Sequence, residues 1–189
     1  TSNAVASSSQ SQDRFALLRG KSGITNAFSV ALYDNGIDQH AQTNSIQVNS
    51  LVFSHDERLF GGSNIALLHL ITTGPQITSV PYFLELANFS SMQVINDFIY
   101  SQNGYQIDIS GTPVIEHQFT IDCGSQDRPV KTAVSDSLVF LIGDRYDSFG
   151  RHCMKIYESF PPYTFVDEFP LNKRISQVSK LITCGETNV

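Results

Sequence analysis

The chain has no tryptophan and only three cysteines, and 16% of its residues are charged, where globular proteins carry about a quarter. Each shortage excludes something. Cys123, Cys153 and Cys184 are far apart and lack C-x-x-C spacing, which rules out a zinc knuckle or a thioredoxin-like redox motif. Nothing else marks a disulfide-stapled fold, so all three are expected as free thiols, with one disulfide plus one free thiol left open. Twelve basic against eighteen acidic residues give a net charge of −6, which argues against a surface dominated by nucleic-acid binding. No run approaches the roughly 18 apolar residues of a membrane span, and no charged-then-apolar leader opens the sequence. A Gly-rich phosphate loop is missing too. Gly61, Gly62, Ser63 and Asn64 lack the second glycine of a nucleophile elbow and precede a strand rather than a helix.

Uncharged polar residues and thirteen phenylalanines fill the space left by charge. With many β-branched residues, that profile favours an extracellular or assembled β protein. A length of 189 residues fits one domain with a substantial core. Residues 1–13 form a Ser/Gln-rich arm with few core-forming side chains, expected to be flexible alone or ordered by a neighbouring subunit. Residues 14–189 then make a single β-sandwich domain.

The body is organised around residues 44–73. Ile46, Val48, Leu51 and Phe53 alternate with one slip of phase, predicting a bulged strand. Residues 64–73 are apolar on both faces, as in a covered central strand. Between them, residues 55–63 read as a polar loop ending in a glycine pair. Further strands are expected at 24–33, ended by the turn residues Asn35 and Gly36, and at 76–87, where Pro81 marks an edge. Residues 105–109, 113–123, 137–142, 153–160 and 163–169 continue the series, and 173–184 reads as helix or strand with strand preferred. Residues 90–103 read as the one helix: Ser90 caps it, Val94, Ile95, Phe98 and Ile99 share a face, and Gly104 stops it. About eight strands and one short helix predict an all-β, mainly antiparallel fold, a jelly-roll-like β-sandwich. An α+β fold with the helix on one sheet is the alternative.

Chemistry-bearing residues are dispersed. None of His40, His55, His69, His117 and His152 has a partner at metal-ligand spacing. His69 and His117 fall on apolar strands and read as core histidines, and His55, Asp56 and Glu57 as a solvated loop. His152 and Cys153 are strand neighbours that point to opposite faces, so they do not form a catalytic pair. Asp34, Asp38, Asp144 and Asp147 sit on turns and are the candidate oxygen ligands for calcium at subunit contacts, without the full calcium-loop pattern. No other cofactor is expected. Arg14, Arg19 and Lys21 are the candidate nucleic-acid contacts, too few to neutralise many phosphates.

Residues 14–18, followed by Thr25, Asn26 and Ala27, resemble the segment where the arm enters the body in satellite necrosis virus capsid proteins. Residues 35–39, 45–53 and 81–89, and strands ending near Cys123, Ile142 and Phe160, are similar to strands of small single-jelly-roll capsids. The chain departs from them in its acidic balance, its non-basic arm and everything after Pro161. The resemblance implies a self-assembling capsid protein of a virion, with copies of itself or related capsid chains as partners. It puts genome contact by this chain in doubt. An extracellular β-sandwich binding module for a glycan, a lipid or a protein is the alternative, and no enzyme activity is expected.

Overall fold

The computed structural model describes residues 2–8, 10–20, 28–38, 48–73, 76–84, 87–121, 129–143 and 152–171. These residues form sixteen strands in four sheets. The first sheet is β1 (Ser2–Ser7), β2 (Phe15–Gly20), β3 (Phe28–Asp34) and β4 (Ile37–Asp38). The second is β5 (Ser50–Phe53), β6 (Leu59–Gly62), β7 (Leu67–Thr73) and β8 (Gln76–Tyr82). The third is β9 (Met92–Ile95), β10 (Phe98–Ser101), β11 (Tyr105–Asp108) and β12 (Val114–Gln118). The fourth is β13 (Pro129–Val134), β14 (Leu138–Gly143), β15 (His152–Glu158) and β16 (Phe165–Leu171). Every pair is antiparallel and joins strands consecutive in sequence.

Short turns build these meanders. Asn35 and Gly36 both have positive φ, 50° and 74°, the mirror-image turn that matches strand twist between β3 and β4. Asn96, at φ 52°, plays the equivalent part between β9 and β10.

The sheets stack face to face in chain order, and period-two alternation supplies both sides of each middle layer. In the second sheet, Leu59, Leu68 and Leu70 join a core shared with the first sheet, while Phe60 and Leu67 join one shared with the third. In the third sheet, Ile99 and Ile107 pack toward the second, and Phe98 and Tyr100 toward the fourth. Each fully buried Leu or Phe contributes about 1.5–3 kcal/mol. On the two outer layers one face is fully buried and the reverse only in part. Ala16 and Leu18 are buried against the second sheet, whereas Phe15, Leu17 and Tyr33 on the reverse stay half-buried. On the fourth sheet, Val139 and Leu141 are fully buried, and Phe140, Met154 and Ile156 half-buried.

The first strands are neighbours along this stack: β1 meets β5, β5 meets β9, and β9 meets β13. A series of four-stranded meanders with first strands adjacent is the repeat that β-propellers array about a channel.

The all-β, antiparallel class expected from the sequence is what the structure has, with face-to-face packing as in a sandwich. Its strand order is a run of consecutive meanders, whereas a jelly roll interleaves strands distant in sequence. No helix occurs among the described residues, and the helix expected at 90–103 is corrected to the β9–β10 hairpin. Val94, Ile95, Phe98 and Ile99 fit helical spacing, but they fit a two-residue hairpin equally. Val94 pairs with Ile99 and faces one core; Ile95 pairs with Phe98 and faces the other. The loop expected at 55–63 contains β6, and part of the Ser/Gln-rich arm is β1, paired to β2 of the same chain. Backbone ladder bonds need no large side chains, and Ala6 still enters the first core. The free-thiol expectation is corrected for Cys153, which is disulfide-bonded and buried. Cys123 and Cys184 lie outside the described residues, as does the expected strand at 173–184.

Candidate functional site

Where the first strands converge, a cavity of about 500 Å³ opens. Ala6, Leu51, Val52, Phe53, Met92, Val94 and Ile95 from β1, β5 and β9 form its walls. Ser7, His55, Asn96 and Asp136 bring polar groups to it from the strand ends and the turns that follow first strands. One end of the stack thus gathers groups from all four sheets.

Hydrogen bonds knit the rim turns of the first two sheets. Ser8 donates its hydroxyl to the Glu57 carboxylate, and its Oγ accepts from the Ser11 and Gln10 amides at 2.8 and 3.0 Å. Arg14 Nη1 donates to the other Glu57 oxygen at 3.1 Å, with its guanidinium 5.5 Å from the Phe53 ring centroid. Gln10 Nε2 lies 3.0 Å from His55 Nδ1. Beside it, Arg58 Nε donates to Asp56 at 2.7 Å, and the same guanidinium reaches the Ile109 carbonyl just past β11 of the third sheet. Burial pushes the Asp56 carboxyl up, but hydrogen bonds from Arg58 and Ser54 and the Arg58 charge outweigh it and hold the group below its usual range. Both rim arginines are ion-paired. Asp136 makes no side-chain hydrogen bond or ion pair among the described residues, and only its carbonyl accepts, from Ser159 Oγ at 3.2 Å.

Among the described residues the sequence candidates form no common cluster. Asp34 and Asp38 flank the β3–β4 turn, where Asp34 accepts from the Asn35 side chain at 3.3 Å. Asp144 and Asp147 lie outside the described residues, and no cluster of three or more metal-ligating side chains occurs among those described. Arg14 pairs with Glu57, Arg19 lies on β2, and Lys21 is outside the described residues. His55, Asp56 and Glu57 were legible as a polar turn. Ser7, Asn96 and Asp136 were not, because only the stacking of sheets joins them.

A second concentration of chemistry lies between the third and fourth sheets. His117 stacks on Tyr163 with centroids 3.8 Å apart and meets Phe119 edge-on at 4.6 Å. Tyr157 donates to the Thr120 carbonyl at 2.9 Å. Tyr100 donates to the Ser159 carbonyl at 3.2 Å and accepts from Gln106 Nε2 at 2.7 Å. Burial above all pushes the Tyr100 phenol up to about 12. Burial also lowers the pKa of His117, against the opposing charge of Glu116, and that of His69, where the Arg58 charge adds and Asp56 opposes.

A histidine whose folded pKa is depressed binds fewer protons folded than unfolded. Its contribution is therefore present above the unfolded value of about 6.5 and is lost as pH falls below it. Urea unfolding at pH 7.5 and 5.5 should show a lower midpoint at the acidic pH, and H117F should narrow that gap. Equal gaps in wild type and variant would refute a role for His117. Asp56 titrates lower and does not enter this window.

No family model matches the chain, and no curated protein resembles it significantly.

Proposed function

We propose that this chain is a binding module, with its ligand taken at the end of the stack where the first strands meet. The single observation carrying this reading is the cavity there, with strand side chains as walls and polar groups from four separate turns or strand ends at its edge. Ligand sites at the mouths of radial β arrays use this construction: a rigid scaffold with the contacting groups on turns. An extracellular setting is supported by the uncharged polar composition and by the disulfide at Cys153.

A self-assembling structural role, as the capsid resemblance implies, is the second reading. One observation favours it: the outer faces of the first and fourth sheets carry half-buried Phe15, Leu17, Phe140 and Ile156, apolar surface that a further copy would cover.

Light scattering over rising concentration separates the two. A constant mass of 20.9 kDa, with saturable fragment-binding signals in ligand-observed NMR that S7W abolishes, is the expected result. Closed particles in the same samples, with no saturable signal, would overturn it in favour of assembly.

A further inference from the structure

We infer that the cavity takes an alkylammonium group, a positively charged nitrogen carried on an aliphatic chain. This rests on the binding-module reading and names its ligand chemistry. The walls contributed by Val52, Met92, Val94 and Ile95 are aliphatic and offer no hydrogen bonds, so the body of the ligand is apolar. Val52, Val94 and Ile95 retain accessible surface for it. Among the described residues Phe53 and His55 are the aromatic rings lining the cavity, and the Arg14 guanidinium already stands 5.5 Å from the Phe53 centroid, so no several-ring cage of the kind that quaternary cations use is assembled.

The charge decides the head group. Among the described residues, Asp136 is the one carboxylate lining the cavity, and no lysine or arginine lines it. The arginines on the adjoining turns, Arg14 and Arg58, are held by Glu57 and Asp56, and among the described residues no ion pair reaches Asp136. Asn96 stands at the same cavity and supplies a neutral side-chain carbonyl as a second acceptor. An ammonium satisfies both with charge-assisted hydrogen bonds, whereas a carboxylate head would meet like charge. The amine has two sources: a lysine side chain of a protein partner, or a free small amine.

The test titrates n-hexylamine, n-hexanol, hexanoate and Nα-acetyl-lysine methylamide into the full chain, following methyl shifts of Val52, Val94 and Ile95 by NMR. Hexylamine is expected to bind about tenfold more tightly than hexanol, hexanoate not at all, and D136N to remove the tenfold advantage. Asp136 is exposed on a turn, so D136N keeps the fold, which its amide spectrum checks. Shifts with the lysine surrogate as well as hexylamine support the class and assign the protein source; shifts with hexylamine alone support it and assign the free amine. Equal binding of hexanol and hexylamine, or an unaltered preference in D136N, overturns the ammonium assignment and leaves the binding-module reading standing. Silence from every probe overturns both.

Discussion

Replacing Gly62 by alanine is expected to cost about 3 kcal/mol, at the upper end for overpacking a filled site. A Cβ there would lie 2.1 Å from the Phe89 carbonyl oxygen, 2.6 Å from Ser50 Oγ and 2.8 Å from Phe89 Cβ. None of these can step aside cheaply. Phe89 is fully buried, its carbonyl accepts from Ser50 Oγ at 2.5 Å, and its amide donates to the Ser63 carbonyl at 3.0 Å. The Gly62 carbonyl is itself bonded to the Asn49 amide at 2.7 Å. Against a total stability of about 5–15 kcal/mol, such a loss lowers the urea midpoint sharply with the slope unchanged. G111A is the control: a Cβ at Gly111 meets nothing within 4 Å, so its effect stays within about 0.5 kcal/mol. Matching midpoints for G62A and wild type would show that the crossing of 89 over β6 is not tight.

Phe119 is the second sensitive point. It is 1% exposed at the joint of the third and fourth sheets, its ring within 6.4 Å of those of Tyr100, His117, Tyr157 and Tyr163. F119A should cost about 3–5 kcal/mol, the transfer term of a buried phenyl plus the cavity it leaves. Near-UV circular dichroism should weaken as the surrounding tyrosines lose their fixed packing. The positive φ of Tyr163, 57°, adds a reason for local loosening, since stacking on His117 helps hold that unfavourable backbone. F165A, at a half-exposed edge residue, should cost much less. A small loss for F119A would mean that the joint collapses without a cavity.

How much of this was legible follows from what alternation can and cannot encode. Residues 64–73 read as a strand covered on both faces; the strand is Leu67–Thr73, where Leu67 and Leu68 serve two different cores while Ile71 and Thr72 toward its end are exposed. The turn at Asn35 and Gly36 read correctly because positive φ demands those residue types. The hairpin at 92–101 read as a helix because a two-residue turn reproduces helical spacing across itself; only the turn residues Asn96 and Asp97 signalled otherwise. The strand at 59–62 was hidden by Gly61 and Gly62, whose small size answers a tertiary contact rather than a loop. The cavity was not legible at all. Its groups come from positions 6 to 136, and their meeting depends on the stacking of whole sheets.

The contacts that join one sheet to another run from each sheet to the next along the chain. Cooperativity in such a stack is one-dimensional, with each layer's free energy set by its own hairpins plus its couplings to nearest neighbours. Among the described residues, the second and third sheets are coupled on both sides, and the first and fourth on one. Amide exchange should therefore fray inward from the outer layers, with β6, β7, β10 and β11 the last to open. The cavity draws Leu51 and Val52 from one doubly coupled layer and Met92 and Val94 from the other. Its walls would outlast its rim, so the apolar part of a ligand bound there as proposed would stay gripped while the turns around its head breathe.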